Sequence, residues 1–179
     1  MNHPPPGCGP SWPPTLQSAR ARNVWFSESG RPPLPGSRTV CGYALQWGVP
    51  SAVRPGFDEV FYEGALAWPA DLPLCRNHDR TRPLVSLGPS FRLRATDRGI
   101  WAEVDTDMIP DGDDLLLAAR HGPLRAWSIS FKASEERWDR TGDRPLRTVT
   151  AARLLEVSIV DRGAHHTTIG ILSRMKQAA

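Results

Sequence analysis

The stretch RAWSISF, residues 125–131, alternates large apolar side chains with small ones. Its apolar residues are Trp127, Ile129 and Phe131, and between them stand Ser128 and Ser130. A period of two is typical of a β-strand with one face against the core. The stretch therefore predicts a half-buried strand. Its serines are either ordinary residues of a solvent face or include a nucleophile.

The segment RLLEVSIV, residues 153–160, alternates in the same way. Its apolar side carries Leu155, Val157 and Ile159, and its polar side carries Glu156 and Ser158. This pattern predicts a second strand with one polar face. We expect Ser128 and Glu156 to lie on the polar faces of their strands, within reach of a substrate.

Short segments between turn residues predict the remaining structure. The expected strands are 39–48, Pro83–Leu87, Phe91–Ala95, Ile100–Asp105, Arg147–Thr150 and 167–172. A short helix is expected at Phe57–Glu63, and a clearer one in DGDDLLLAARHG, residues 111–122, capped by Asp111 or Asp113 and ended by Gly122. Many short strands with few helices predict an α+β fold that is mainly β and barrel-like.

The first 38 of the 179 residues differ in composition from the rest. They hold nine of the 18 prolines, and four arginines against one glutamate, so the whole formal charge of +3 lies there. Proline lacks a backbone donor and favours extended chain. We predict a disordered tail at 1–38, or a docking or removable segment, and one domain at 39–179. The balanced charge of that domain does not favour specific nucleic-acid binding.

The lengths of the apolar runs and the number of cysteines bear on the expected cellular location. No run reaches 18 apolar residues, and no basic region followed by an apolar run opens the chain. We therefore expect no membrane span and no secretory signal, and hence a cytoplasmic protein. The three cysteines, Cys8, Cys41 and Cys75, are odd in number and widely spaced, so reduced thiols are expected.

Three residues have the chemistry of a serine nucleophile and its activating partners. Serine is a weak nucleophile unless a base lies within hydrogen-bond reach, and imidazole suits that role near neutral pH. A carboxylate can orient the imidazole and stabilise its charged form. His78, Ser128 and Glu156 are the candidates, although residue type alone leaves such a triad one hypothesis among several.

Six segments, in order, resemble the tailed-phage prohead protease family, which is similar in fold to herpesvirus assemblin. They are GYALQWG (42–48), VFYEGAL (60–66), NHD (77–79), GIWAEVDTD (99–107), LLLAARHGPLRAWSISF (115–131) and LLEVSIVDRGAH (154–165). Each segment is weak alone, but the ordered set with its gaps is fairly specific. The resemblance covers roughly Gly42 to Leu172 and implies a herpesvirus-protease-like β-barrel flanked by a few helices.

The resemblance also implies a serine endopeptidase that cuts scaffold and major capsid protein segments by acyl-enzyme chemistry. His78 would be the general base, Ser128 the nucleophile and Glu156 the residue that orients His78. The family implies no cofactor or metal, action inside the immature prohead in the bacterial host, and possible self-cleavage or homo-oligomerisation. Two alternatives are a catalytically inactive assembly or scaffold protein of the same fold, and an esterase, which the absence of a G-x-S-x-G elbow disfavours.

Several residues keep alternative interpretations. The family usually has glycine at the position of Ser130, so Ser130 is a rival nucleophile, although the motif favours Ser128. The pair His165–His166 could bind a metal or supply an assemblin-type third member, but solvated turn residues are the expected interpretation. Cys75 lies near His78 in sequence, and core packing is expected for it rather than a Cys–His pair.

Overall fold

A computed structural model describes residues 38–165, 167 and 169–172. The predicted tail at 1–38 lies outside the described residues except for Arg38, and so does His166. In chain order the strands are β1 (Thr39–Gln46), β2 (Ser51–Arg54), β3 (Phe57–Phe61), β4 (Leu66–Ala67), β5 (Pro73–Arg76), β6 (Val85–Ser86), β7 (Phe91–Ala95), β8 (Gly99–Asp105), β9 (Ala126–Asp139), β10 (Leu146–Val160) and β11 (Gly170–Leu172). A 3-10 turn at Thr106–Met108 and the helix α1 (Gly112–His121) lie between β8 and β9.

The strands form two sheets. The first is antiparallel with the order β11-β1-β8-β7, and the second runs β2-β3-β10-β5-β6, with β4 and β9 also paired to β10. Among the described strands the ladders stay separate as two sheets, so the β-barrel that the resemblance implies is not closed by hydrogen bonding. β1 lies against β9, but the two are not hydrogen-bonded as a ladder. The fold is mainly β, as the sequence predicts.

The long strand β10 organises the second sheet. One of its edges pairs in parallel with β3, β4 and β5 in succession, and β9 pairs antiparallel with it from Ala126 to Asp139. The sequence predicts two strands here, at Arg147–Thr150 and 153–160. The chain instead stays extended through irregular pairings at Ala151, because both edges have partners. The end of β5 and the start of β9 consequently lie on opposite sides of the same part of β10.

The apolar core lies between the sheets. Among its fully buried side chains are Phe61, Leu74, Phe91, Ile100, Leu124, Trp127, Leu154 and Ile159. The predicted helix at Phe57–Glu63 is wrong, because this segment is β3, pairs with β10 and buries Glu59, Val60 and Phe61. A buried, doubly paired strand position overrides the weak local preference for a helix.

The helix predicted in residues 111–122 is confirmed as α1. Asp111 is its N-cap residue, but it adopts a left-handed conformation and its side chain makes no capping hydrogen bond. Gly122 ends the helix, and a Cβ there would lie 2.8 Å from both the Cα and the carbonyl oxygen of Ala118. The chain turns at that point directly into β9.

The start of β9 is buried on both faces, which corrects the half-buried strand expected from RAWSISF. All four residues from Ala126 to Ile129 are buried. The segment after β10 covers this part of the strand, since Thr167 donates its hydroxyl to the Trp127 carbonyl and the Ile169 amide donates to Arg125 O at 3.2 Å. Ala126 and Ser128 therefore lie in the interior, and Ser128 is not a solvent-face residue.

Candidate active site

Four polar side chains share one face of the β9–β10 pair. Ser128 lies opposite Ser158, and Ser130 lies opposite Glu156. Directly opposite residues on an antiparallel pair project to the same face, with Cβ atoms about 4.5–5.5 Å apart. Glu156 and Ser158 are fully buried and Ser128 is 3% exposed, whereas Ser130 is half-buried. The expectation that Glu156 is open to a substrate is therefore wrong, and Ser130 is more accessible than Ser128.

A β-bulge sets the face on which Glu156 projects. Leu154 pairs with Phe131, but the next β9 residue, Ser130, pairs with Glu156, so Leu155 is the extra residue on β10. Bulges of this kind redirect side chains and are frequent near active sites. Because of the bulge, Glu156 projects on the same face as Ser130 and Ser128.

His78 comes from the turn that follows β5. Asn77 and His78 both have left-handed backbone conformations, with φ of 50° and 63°. The turn is fixed to β10, because the Asn77 amide donates to the Ile159 carbonyl at 3.0 Å and the His78 amide donates to Ser158 Oγ at 3.1 Å. Left-handed backbone is uncommon outside glycine and persists where surrounding contacts enforce it. This turn brings the imidazole to the polar face of β9 and β10.

The imidazole of His78 is hydrogen-bonded to the Glu156 carboxylate. Nδ1 lies 2.6 Å from Oε1, with the His78 side chain 43% exposed and the Glu156 side chain fully buried. An ionised carboxylate only accepts hydrogen bonds, so Nδ1 carries the proton and Nε2 keeps its lone pair in the neutral ring. Such a histidine is suited to accept a proton through Nε2.

The second carboxylate oxygen is also satisfied. Ser158 Oγ donates to Glu156 Oε2 at 2.5 Å, so both oxygens of the buried group have partners. A buried charge is tolerated when it is paired and hydrogen-bonded.

Cys75 lies on β5, opposite Ser158, and is buried. Its burial, and to a smaller extent the charge of Glu156, raises the pKa of its thiol to about 11. Cys75 is therefore a protonated core residue, as expected, and not a nucleophile for His78.

Ser128 and Ser130 differ in their relation to His78. Ser130 Oγ lies 3.4 Å from Nδ1, the nitrogen already bonded to Glu156. In the part of the chain that the structure describes, no hydrogen bond joins Ser128 to His78. The structure thus brings His78, Glu156 and Ser130 into contact and places Ser128 two residues away on the same face. Alternate residues of a strand lie about 6.5–7 Å apart.

A cleft of about 500 Å³ opens beside the His78 turn. Asn77 and Asp79, which flank His78, form part of one wall, and Asp111, Asp114 and Leu115 form part of the other. Its walls carry both charged and apolar groups.

The other described histidine candidate, His165, is buried against Glu59 and Phe61. His165 is 4% exposed, lies with Nε2 3.9 Å from Glu59 Oε1 and packs edge-on against Phe61, so the expectation of a solvated turn residue is wrong for it. No group of three or more His, Cys, Asp or Glu side chains within the described ranges is placed to hold a metal. None of the described helices has the length and apolarity needed to cross a membrane.

A histidine bonded to a buried glutamate, beside serines on a neighbouring strand, has the composition of a serine hydrolase site. The sequence profile of the caudovirus prohead serine protease family matches residues 33–179. The chain therefore belongs to this family of phage capsid-maturation serine proteases, as the motif resemblance predicts. A search of curated proteins found no match.

Proposed function

We propose that this chain is the endopeptidase that cuts scaffold and major capsid protein segments inside the immature prohead, with Ser128, His78 and Glu156 as its catalytic residues. The observation that carries the proposal is the 2.6 Å hydrogen bond between His78 Nδ1 and the buried Glu156 carboxylate. That bond sets the tautomer a general base needs. The His78–Glu156 hydrogen bond lies on the same face of the sheet as Ser128 of β9, the strand that bears the family's serine motif.

The proposed reaction proceeds through an acyl-enzyme. Ser128 Oγ attacks the scissile carbonyl while its proton passes to His78 Nε2, and the resulting imidazolium is stabilised by Glu156. His78 then gives that proton to the leaving amine as the C–N bond breaks. Water, deprotonated by His78, attacks the ester, and Ser128 recovers its proton when the new carboxyl product leaves. No cofactor or metal takes part in these steps.

The nitrogen that Ser130 faces argues against Ser130 as the nucleophile. Ser130 approaches Nδ1, the nitrogen to which we assign the proton because it is hydrogen-bonded to the Glu156 carboxylate. A protonated nitrogen cannot accept a serine proton, so the observed Ser130 contact is not a nucleophile–base contact. Ser128 matches the serine of the family motif and leaves Nε2 as the acceptor. Hydrogen bonds between catalytic groups often form fully only when substrate is bound.

A fluorophosphonate probe tests this assignment without knowledge of the scissile sequence. An activated serine attacks its phosphorus and releases fluoride, which leaves a stable phosphonyl-serine. We expect the probe on Ser128 in the full chain, identified by mass spectrometry of the peptide. Ser128→Ala should lose labelling, and also cleavage of the co-expressed major capsid protein, whereas Ser130→Ala should keep most of both. Labelling on Ser130, or normal cleavage by Ser128→Ala, would refute the assignment.

The same experiment separates the enzyme from an inactive assembly protein of the same fold. The observation that favours the inactive alternative is that Ser128 is nearly buried and makes no described hydrogen bond to His78. An inactive protein would leave the capsid protein uncut and would not react with the probe. Cleavage of the chain by itself is part of the proposal, and it would show as a shortened wild-type chain beside an intact Ser128→Ala chain.

A further inference from the structure

We infer that Ser158 is a positioning residue, which holds both the base and its carboxylate partner through one hydroxyl. The inference rests on the proposed function of His78 and Glu156. Ser158 is fully buried in β10, with Cys75 of β5 on one side and Ser128 of β9 on the other. It therefore lies at the point where the strand that leads to the base meets the strand that bears the nucleophile.

The hydroxyl of Ser158 makes two different hydrogen bonds. It donates its proton to Glu156 Oε2 at 2.5 Å, and it accepts the backbone N–H of His78 at 3.1 Å. A serine hydroxyl has one proton and two lone pairs, so one group can serve both partners. Ser158 thus links the carboxylate to the main chain of the residue that the same carboxylate orients.

The two hydrogen bonds of Ser158 hold the main chain of His78 and the carboxylate of Glu156 in a fixed position relative to each other. The His78 backbone, with φ of 63°, is in a region that non-glycine residues adopt only under constraint. Without the hydroxyl, the His78 amide would lose its acceptor and Glu156 Oε2 would lose its donor. The main chain at His78 could then relax, and the carboxylate could rotate away from Nδ1. The described hydrogen bonds of the Ser158 hydroxyl go to the His78 amide and to Glu156, and none joins it to Ser128 Oγ or His78 Nε2, so we assign it an effect on orientation.

Ser158→Ala tests this inference, with Ser158→Thr as the rescue that restores a hydroxyl. Hydrogen bonds to charged groups are strong enough to predict a loss of roughly 10- to 100-fold in the second-order rate of fluorophosphonate labelling at Ser128. Ser158→Thr should recover most of that loss. Ser51→Ala is the matched control, since Ser51 is also a buried serine but its hydroxyl has no hydrogen-bond partner among the described residues. It should be labelled at the wild-type rate.

A second readout does not depend on turnover. A proton shared between Nδ1 of His78 and a carboxylate gives a low-field proton resonance, which His78→Ala identifies by its loss. We expect Ser158→Ala to shift or remove this resonance while thermal unfolding stays cooperative, and Ser51→Ala to leave it unchanged. If the wild type is not labelled, the proposed function fails, and the resonance alone decides whether Ser158 positions the pair.

Two results would overturn the inference. One is a folded Ser158→Ala protein with the wild-type labelling rate and an unchanged resonance, which would show that the hydroxyl positions nothing. The other is an equal loss in Ser51→Ala, which would show that removal of any buried hydroxyl acts through general packing.

Discussion

Replacement of Glu156 with glutamine separates the charge of this residue from its shape. Glutamine keeps the volume of the buried side chain and one carbonyl oxygen that can accept the Nδ1–H of His78. It removes the negative charge that lies 2.6 Å from the imidazole. The variant should therefore hold the histidine near its native orientation, yet stabilise the imidazolium less when the nucleophile transfers its proton.

The expected loss of rate follows from the geometry. Two unit charges about 4 Å apart interact by about 4 kcal/mol at an effective dielectric of about 20. The His78 side chain is 43% exposed, so water screens part of that interaction. If about half of it remains, the loss is about 2 kcal/mol, or about 30-fold in rate. Ser128→Ala, which removes the nucleophile itself, should give no labelling.

Folding stability should respond in the opposite sense. A fully buried carboxylate is costly to desolvate, and a neutral side chain of the same size avoids that penalty. We expect the thermal midpoint of Glu156→Gln at pH 7 to equal or exceed that of the wild type. Glu156→Ala, which leaves the Ser158 hydroxyl and His78 Nδ1–H without their acceptor and opens a cavity, should lower the free energy of unfolding by roughly 2–5 kcal/mol.

The assay compares the fluorophosphonate labelling rate at Ser128 with the thermal midpoint for each variant. Slow labelling in a fully stable Glu156→Gln protein is the expected pattern, because it shows a loss of charge without a loss of structure. A Glu156→Gln protein labelled as fast as the wild type would refute the role of the charge. A markedly destabilised Glu156→Gln protein would refute the reasoning about its burial.

Two further predictions concern the catalytic unit and the domain boundary. In a cleavage assay, His78→Ala should be as inactive as Ser128→Ala, and the double variant should be no less active than either single variant. The reason is that the effects of residues that act as one unit are not additive. A double variant much less active than both single variants would contradict this. A fragment of residues 39–179 should fold cooperatively and react with the probe. It should unfold at a lower temperature than a fragment of residues 33–179, because it lacks the contacts of Arg38. The carbonyl oxygen of Arg38 accepts hydrogen bonds from Thr106, and its side chain pairs with Asp107 and Asp113. Loss of the cooperative transition in 39–179 would contradict the predicted boundary, and equal midpoints would show that the Arg38 contacts add nothing.

Local sequence patterns predicted those strands and helices that long-range pairing does not override. The strand Phe91–Ala95 and the helix in residues 111–122 have clear turn residues at both ends, and the structure confirms them. The segment Phe57–Phe61 was predicted as a helix because its pairing with β10 is a long-range contact, invisible in local sequence. For the same reason the sequence did not show that the two sheets stay open.

The proposed site was predictable in its residue types but not in its geometry. The motifs pointed to His78 and Glu156, and the structure places them in hydrogen-bond contact. The sequence did not reveal the left-handed backbone of Asn77 and His78, because neither position is glycine. Nor did it reveal the second role of Ser158, although the alternation of 153–160 places Ser158 on the same face as Glu156, which was the available signal.

Burial of the polar face bears directly on the proposed chemistry. Both oxygens of Glu156 already have donors before any substrate arrives, from His78 and Ser158. In the proposed mechanism, when His78 takes up the serine proton, the carboxylate faces the new positive charge without reorienting and is itself fully shielded from water. Fixed dipoles of this kind stabilise developing charge more effectively than solvent, because their orientation is set during folding. The interior position of Glu156, which the sequence did not predict, is thus the feature that best suits it to support a catalytic base.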